Sequence, residues 1–189
     1  MFSSGNTTER QRAGTLVDGK SEVIVDLFAG IGYFTLPFLV KGGALKVIAC
    51  DWNADAHQAL QTSLEKNKVA DRWVGVSNPA YYAAAALSVH GKLRLTAATT
   101  VSCFLLHRCE QRLGDCREVA PAGVADRVNL GLIPTSEFAW ETAIKCLKPL
   151  QGGWLHIHEN VHEKQEEEWK QYVISKLHTV HVAGNASVR

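Results

Sequence analysis

The stretch Val23-Ile24-Val25-Asp26-Leu27-Phe28-Ala29-Gly30-Ile31-Gly32-Tyr33 decides the fold of this 189-residue chain. Apolar residues run into an acidic one, and two glycines then lead into an apolar segment, residues 33–40. This order predicts a buried strand, a tight turn and a helix. Gly30 and Gly32 allow positive φ and let the backbone approach a ligand, to which the helix N-terminus presents unpaired N–H groups. Asp26 ends the strand, where ligands of open α/β sheets bind, and its carboxylate can accept hydrogen bonds from a ligand amine or hydroxyl.

A second acidic residue follows at the spacing expected for a nucleoside cofactor. Residues 46–50 form a short β-prone run that ends at Asp51. An acidic residue about twenty positions past a glycine loop binds the two ribose hydroxyls in nucleotide-binding α/β domains. The third glycine of a dinucleotide fingerprint is absent, since position 35 is Thr35. A plain βα turn remains the alternative for one Gly-x-Gly, but the two signals together favour a nucleoside cofactor.

Composition limits the class of protein. Apolar residues make up 46% of the chain and the net charge is +1, as in ordinary globular domains, and this charge argues neither for nor against nucleic acid. Five cysteines without a Cys-x-x-Cys pair argue against a disulfide framework or zinc site and fit a reducing, cytoplasmic compartment. We predict no membrane span, since the longest charge-free run, residues 73–91, contains Asn78, Pro79 and His90.

Strands and helices alternate along the rest of the chain. Asn53 is a candidate N-cap for an amphipathic helix that ends at Asn67. Further strands are predicted at 111–113, 126–134 and 154–158, with helices at 138–147 and 163–177. The pattern predicts an α/β domain with a Rossmann-like, doubly wound parallel sheet. Residues 2–12 are interpreted either as a solvated leader or as a turn and a short helix.

Several motifs occur in the order found in one family. They are Phe-Ser-Ser-Gly-Asn with Glu9 and Arg10, and the segments 26–34, 50–53, 114–117, 126–134 and 153–161. Through residues 1–72 and 109–170 the chain resembles the tRNA wybutosine-synthesising aminocarboxypropyltransferases. These are class I S-adenosylmethionine-dependent transferases related to the tRNA guanine-N1 methyltransferases. Asn-Leu-Gly-Leu-Ile-Pro at 129–134 points to the aminocarboxypropyl branch, because the methyltransferase branch carries an Asn-Leu-Pro motif there.

The resemblance implies a reaction. The 3-amino-3-carboxypropyl group of S-adenosylmethionine would move to C7 of 4-demethylwyosine, the tricyclic base 3′ to the anticodon of phenylalanine tRNA. Methylthioadenosine would leave, and no covalent enzyme intermediate is needed. Two alternatives stay open: an inactive, truncated cofactor-binding or interaction fragment, and a tRNA guanine-N1 methyltransferase. The sequence does not predict an oligomeric state.

The resemblance also implies a cofactor site. Its residues are Ser3, Arg10, Asp26, Phe28, Gly30, Gly32, Asp51, Asp115 and Cys116. Arg10, assisted by Ser3, would bind the methionine carboxylate, because a guanidinium binds a carboxylate bidentately. Asp51 would hold the ribose, where the family usually has Glu. Asp115 and the backbone of Cys116 would bind the adenine.

The substrate site implied by the resemblance is smaller. Asn129 and Pro134 would border and position the substrate base, and no residue is assigned a catalytic role. His156 and His158 share one strand face and could suggest a metal, but no third ligand lies at a convincing spacing. We therefore predict no metal.

Two features depart from the family. Met1 directly precedes the Phe-Ser-Ser-Gly-Asn motif, where the family has a tRNA-holding domain. At the other end, no closing strand pair is recognised before Arg189. We therefore expect one domain, residues 1–189, truncated at both ends. Residues 73–108 contain no acidic residue and separate Ala-Asp-Arg from the Cys that follows it in the family. We interpret them as a foreign insertion translated from retained intron sequence, sticky or poorly packed. A genuine lineage-specific loop is the alternative.

Overall fold

The computed structural model describes residues 7–17, 21–69, 71–73 and 105–186. The strands are β1 (Val23–Asp26), β2 (Lys46–Asp51), β3 (Asp71–Trp73), β4 (Leu105–His107), β5 (Cys109–Leu113), β6 (Arg127–Leu130) and β7 (Trp154–Ile157). The α-helices are α1 (Thr7–Leu16), α2 (Thr35–Val40), α3 (Ala54–Lys66), α4 (Cys116–Val119), α5 (Trp140–Cys146) and α6 (Glu166–Ala186). Short 3₁₀ turns, Glu137–Ala139 and Glu163–Gln165, precede the last two helices.

Five strands form one parallel sheet in the order β5-β2-β1-β6-β7. β1 lies in the centre, and all four of its residues are buried, as its β-branched composition predicts. Asp26 pairs with Ala49 on one side and with Asn129 on the other. The chain winds outward in opposite directions from β1, so a crevice opens at the carboxyl ends of the strands beside it. The predicted doubly wound parallel sheet is confirmed.

Alternate side chains of β1 pack into two hydrophobic cores, one on each face of the sheet. Val25 packs in a cluster with Trp140 of α5 and Val173 of α6. Ile24 packs on the opposite face with Phe38 of α2. Helices therefore cover both faces of the sheet, so a site is expected at the carboxyl ends of its strands.

Helix boundaries follow local signals where such signals exist. Asn53 caps α3 as predicted, since its side chain accepts hydrogen bonds from the N–H groups of Asp55 and Ala56 at 2.9 and 3.3 Å. Residues 7–12 of the stretch interpreted as a leader or a short helix lie in α1, which packs on α2. The last helix runs to Ala186 rather than 177, because no proline follows position 177 to end it. In the part of the chain that the structure describes, no helix is long and apolar enough to cross a membrane.

Most of the predicted insertion, residues 74–104, lies outside the described residues. At its flanks, Asp71 pairs with His107 and Trp73 with Leu105 in an antiparallel ladder. Arg108, counted within the insertion, is only 3% exposed. Its guanidinium donates to the carbonyl oxygens of Leu39, at 3.1 Å, and Ala44. Arg108 therefore belongs to the packed domain.

Candidate functional site

The two glycines shape the turn after β1. Their φ angles are 53° for Gly30 and 96° for Gly32, a region that disfavours other residues. A Cβ on Gly32 would lie 2.6 Å from Leu60 Cδ1, so this position needs glycine for packing as well. No described residue outside its chain neighbours lies within 4 Å of a Cβ on Gly30. In the part of the chain that the structure describes, Gly30 therefore has open space beside its backbone, as a ligand-binding loop requires.

Asp51 connects the glycine loop to the end of β2. Its Oδ2 accepts a hydrogen bond from Gly30 N–H at 2.7 Å, and its Oδ1 accepts one from Asn53 N–H at 2.9 Å. Its carbonyl oxygen accepts from Gly114 N–H at 2.9 Å. Because a carboxylate oxygen accepts more than one hydrogen bond, the half-buried Asp51 still has acceptor capacity for hydroxyl groups. The ends of β1, β2 and β5 are thus held together around it.

Asp115 and Cys116 follow β5 at the same edge. Asp115 caps α4 by accepting from Arg117 N–H at 2.9 Å, and it also pairs with the Arg117 guanidinium. These hydrogen bonds lower the pKa of Asp115 to about 2, so its carboxylate is ionised at neutral pH. Cys116 is 4% exposed, and burial raises the pKa of its thiol to about 11. Cys116 therefore offers its backbone, not a thiolate, to a ligand.

Phe28 forms part of the wall beside this corner. Its ring contacts Phe138 edge to face, with centroids 5.8 Å apart. The Arg117 guanidinium lies 5.4 Å from the centroid of the same Phe138 ring. Phe138 is 52% exposed although it is large and apolar. An aromatic surface is therefore available next to Asp115.

A buried polar chain runs from β1 to β7. Asp26 is fully buried, and its carboxylate accepts from the Thr35 hydroxyl at 2.8 Å and from Asn129 Nδ2 at 2.9 Å. Burial raises the pKa of Asp26, and these two hydrogen bonds oppose the rise. Asn129 is also fully buried, and its Oδ1 lies 3.0 Å from Nε2 of His158. Direct contact of either Asp26 or Asn129 with a ligand stays a prediction.

α1 places Arg10 near the glycine loop. The Arg10 guanidinium lies 5.3 Å from the centroid of the Tyr33 ring, which directly follows Gly32. The neighbouring Glu9 is bound by Arg12 at 2.6 and 2.8 Å and lies 3.7 Å from His158 Nδ1. Ser3, the predicted helper of Arg10, lies outside the described residues. The helix thus brings a cation to the end of the site away from Asp115.

A cavity of about 370 Å³ opens at the ends of β6 and β7. Its lining includes Glu9, Ile133, Ile157, His158, Asn160 and Trp169. Pro134 is exposed beside it, directly after Ile133, which is 40% exposed. Asn129 Oδ1 contacts Nε2 of His158, which lines this cavity. A flat ligand there would lie next to the predicted substrate residues.

His156, the other histidine considered as a metal ligand, has a different environment. Its Nε2 lies 3.4 Å from Nη1 of Arg127, and burial together with Arg127 lowers its pKa to about 4. Among the described residues, no three His, Cys, Asp or Glu side chains come together as a metal site would require.

Sequence analysis did not assign three residues of this edge the contacts that the structure gives them: Thr35, His158, which was considered only as a metal ligand, and Arg117. Thr35 was noted only for the glycine it replaces, yet its hydroxyl binds Asp26. The signal for His158 was its position after the last residue of β7, at the carboxyl edge where ligands bind. Arg117 lies in a quoted motif, and its pairing with Asp115 at i,i+2 carries no sequence signature.

The sheet order and the glycine-loop corner define an α/β domain with the class I S-adenosylmethionine-dependent transferase fold. In comparison with known proteins, residues 1–80 match the TRM5/TYW2 methyltransferase domain. The chain is 44% identical over 177 residues to "tRNA wybutosine-synthesizing protein 2/3/4" of Oryza sativa subsp. japonica, covering 94% of this chain and 13% of that protein. It is 44% identical over 161 residues to "tRNA wybutosine-synthesizing protein 2 homolog" of Danio rerio, covering 85% of this chain and 30% of that protein.

A solved structure agrees with these relatives. M. jannaschii TYW2 in complex with AdoMet superimposes with a TM-score of 0.68 at 28% identity, covering 95% of this chain and 63% of that one. Trm5b from Pyrococcus abyssi shares the fold, with a TM-score of 0.66 at 23% identity over 98% of this chain and 42% of that one. The chain is thus similar to proteins of the TRM5/TYW2 family, by the match of residues 1–80 and by these relatives. It spans less than a third of the length of these two curated relatives.

Proposed function

We propose that this chain carries the domain that transfers the 3-amino-3-carboxypropyl group from S-adenosylmethionine to a tRNA base in wybutosine synthesis. The similar proteins from rice and zebrafish are named for wybutosine synthesis, and the similar M. jannaschii protein was solved with AdoMet. One observation carries the proposal for this chain. Along one sheet edge, the carboxylates of Asp115 and Asp51 are followed by the glycine loop and then by the cation of Arg10.

That order of charges matches the order of groups in the cofactor. Asp115 would accept a hydrogen bond from the adenine amine, and the backbone of Cys116 would border the ring edge, with Phe28 and Phe138 beside them. Asp51 would bind the ribose hydroxyls. The sulfonium would lie over the glycine loop, and Arg10, with Ser3, would bind the methionine carboxylate. Asp26, unlike Asp51, is fully buried, and its oxygens accept from Thr35 and Asn129, so we assign it to holding the start of α2 and Asn129 in place.

The transferred group follows from which carbon of the sulfonium faces the nucleophile. If Arg10 and its helix fix the amino-acid arm, its γ-carbon can be presented to the substrate base in the cavity beside Ile133 and His158. C7 of 4-demethylwyosine forms a bond to that carbon while the carbon–sulfur bond breaks and its electron pair goes to sulfur. Methylthioadenosine leaves. Pro134 would border the base, and Asn129 would act through His158.

The proposed polynucleotide partner is phenylalanine tRNA. Support comes from the wybutosine names of the relatives and from the position of the cavity at the same edge as the cofactor corner. We also infer a reducing, cytoplasmic location, supported by cysteines that are free throughout the described part of the chain.

We further propose that the segment 73–108 is an excisable insertion. Its ends enter and leave side by side, because Asp71 and His107 pair directly across the antiparallel ladder. Directly opposite residues in such ladders lie about 4.5–5.5 Å apart, close to the spacing of consecutive Cα atoms. Removing residues 73–108 also removes Arg108, so Arg72, which the deletion joins to Cys109, would take its position beside the core.

Two measurements separate this function from its alternatives. Calorimetry with S-adenosylmethionine should show binding, and an absence of heat would favour a fragment that serves only as an interaction module. Incubation with undermodified tRNA should then release methylthioadenosine. Release of S-adenosylhomocysteine would instead support a methyltransferase, a class represented in fold alone by the 23% identical Trm5b neighbour.

A further inference from the structure

In the proposed transfer, no residue has yet been assigned to remove the proton from C7 of the substrate base. When C7 of the substrate base bonds to the γ-carbon, C7 still carries its hydrogen, and the ring regains aromaticity only by losing that proton. The C7–H bond breaks, its electron pair returns to the ring, and a base must take the proton. General bases act at hydrogen-bond reach of the proton that they remove.

We propose that His158 is this base and that its Nδ1 takes the proton. The assignment rests on the proposed transfer reaction. His158 lines the cavity at the ends of β6 and β7 and its side chain is 15% exposed. Its ring is stacked on Phe34, with centroids 4.5 Å apart, so its plane is fixed.

The buried polar chain of Asp26, Asn129 and His158 determines which ring nitrogen of His158 carries the hydrogen and which has the lone pair. A carboxylate only accepts, so Asn129 must donate its Nδ2 to Asp26 and turn its Oδ1 toward His158. Nε2 of His158, 3.0 Å from that oxygen, must therefore carry the hydrogen. Nδ1 then has the lone pair, on the side of Glu9, which lines the same cavity.

Glu9 stabilises the product of proton uptake without competing for the proton. Its carboxylate is bound by Arg12 at 2.6 and 2.8 Å, which keeps the pKa of Glu9 below its ordinary value. Glu9 Oε1 lies 3.7 Å from Nδ1, close enough to stabilise an imidazolium there. Burial lowers the pKa of His158, so the ring is neutral at neutral pH and ready to accept. The charged or titratable groups around it are Glu9, Arg12, His156, Glu159, Glu166 and Lys170.

The test compares His158→Gln with His156→Gln in single-turnover transfer to undermodified tRNA. Gln at 158 can still donate to Asn129 but lacks a basic nitrogen, and His156, two residues earlier in β7, is not among the described residues that line the cavity. We expect His158→Gln to slow transfer by about 10²–10⁴-fold with S-adenosylmethionine affinity unchanged. Deuterium at C7 should slow His158→Gln more than the unmutated chain, because proton removal becomes limiting. His156→Gln should transfer at the normal rate.

The outcomes separate failure of the His158 assignment from failure of the proposed transfer reaction. An unmutated chain that releases no methylthioadenosine overturns the proposed function, and the base assignment with it. A fully active His158→Gln, or a slow one without the isotope effect, overturns the base alone. Nitrogen-15 NMR of the unmutated chain needs neither turnover nor a variant. It should show His158 neutral with hydrogen on Nε2, and hydrogen on Nδ1 would contradict the assignment.

Discussion

At the residue scale, the carboxylates of Asp26 and Asp51, at the ends of the adjacent strands β1 and β2, have different environments and different proposed roles. Asp26 is fully buried and both of its oxygens are engaged by side chains of β6 and α2. Asp51 is bound by two backbone N–H groups and stays half-exposed. Burial of an ionised group is costly unless it is hydrogen-bonded, which explains the two partners of Asp26. Asp51 and Arg10 are therefore the residues whose replacement should report on the cofactor most directly.

Arg10→Ala should weaken S-adenosylmethionine far more than methylthioadenosine, which lacks the amino-acid arm. Loss of a charge-assisted bond costs about 1.5–3 kcal/mol, or roughly 10–150-fold in affinity. Calorimetry with both ligands measures the difference. Gln11→Ala, at an exposed position of the same helix, is the matched control and should change neither affinity. Equal losses for both ligands in Arg10→Ala would remove Arg10 from this role.

Asp51→Ala should weaken S-adenosylmethionine and methylthioadenosine alike, because both carry the ribose. Affinity should fall by roughly 10–150-fold, because the substitution also removes the carboxylate that accepts a hydrogen bond from Gly30 N–H. Asp51→Glu should be tolerated, and Asp55→Ala, at an exposed position of α3, is the control for a lost carboxylate. If methylthioadenosine binds Asp51→Ala at full strength, Asp51 does not hold the ribose.

At the element scale, the unit of β1, the glycine loop and α2 was predictable from sequence. Its apolar strand, two glycines and apolar helix are contiguous, so local pattern was enough. The polar chain of Asp26, Asn129 and His158 was not predictable, because its members come together only through the pairing of β1, β6 and β7. The role of Arg108 was missed for the same reason, since its partners lie 64 and 69 positions away.

Gly32→Ala tests the geometry of that unit. Its φ of 96° and a Cβ contact of 2.6 Å with Leu60 should together lower the free energy of unfolding by about 2–4 kcal/mol. Gly43→Ala is the matched control, because its φ of 70° is also left-handed but its Cβ would meet none of the described residues within 4 Å. Denaturant unfolding should show the smaller loss, about 1 kcal/mol, for Gly43→Ala. Equal losses would mean that α3 does not restrict the loop.

At the scale of the whole molecule, the sheet and the segment 73–108 should be separable. Deleting residues 73–108 should raise solubility and keep or improve S-adenosylmethionine binding. Closing a long loop costs only a logarithmic entropy, so a sheet that survives the insertion also survives its removal. Solubility and calorimetric affinity of the deletion variant are the measurements. Unfolding of the domain would contradict the insertion.

The deletion has an internal control, because it joins Arg72 to Cys109 and so leaves an arginine where Arg108 stands. That arginine should take over the hydrogen bonds to Leu39 and Ala44. Arg72→Ala within the deletion variant should lower the free energy of unfolding by about 1.5–3 kcal/mol relative to the deletion alone. No difference between them would mean that the joined arginine does not reach the core.

The central claim is that this chain transfers the amino-acid arm of its cofactor to tRNA. Parallel incubations with undermodified phenylalanine tRNA and S-adenosylmethionine labelled in either the carboxyl or the methyl carbon test it most directly. We predict that carboxyl label enters the tRNA and that methyl label leaves with methylthioadenosine. Methyl label in the tRNA, or no label from either cofactor, would contradict the account.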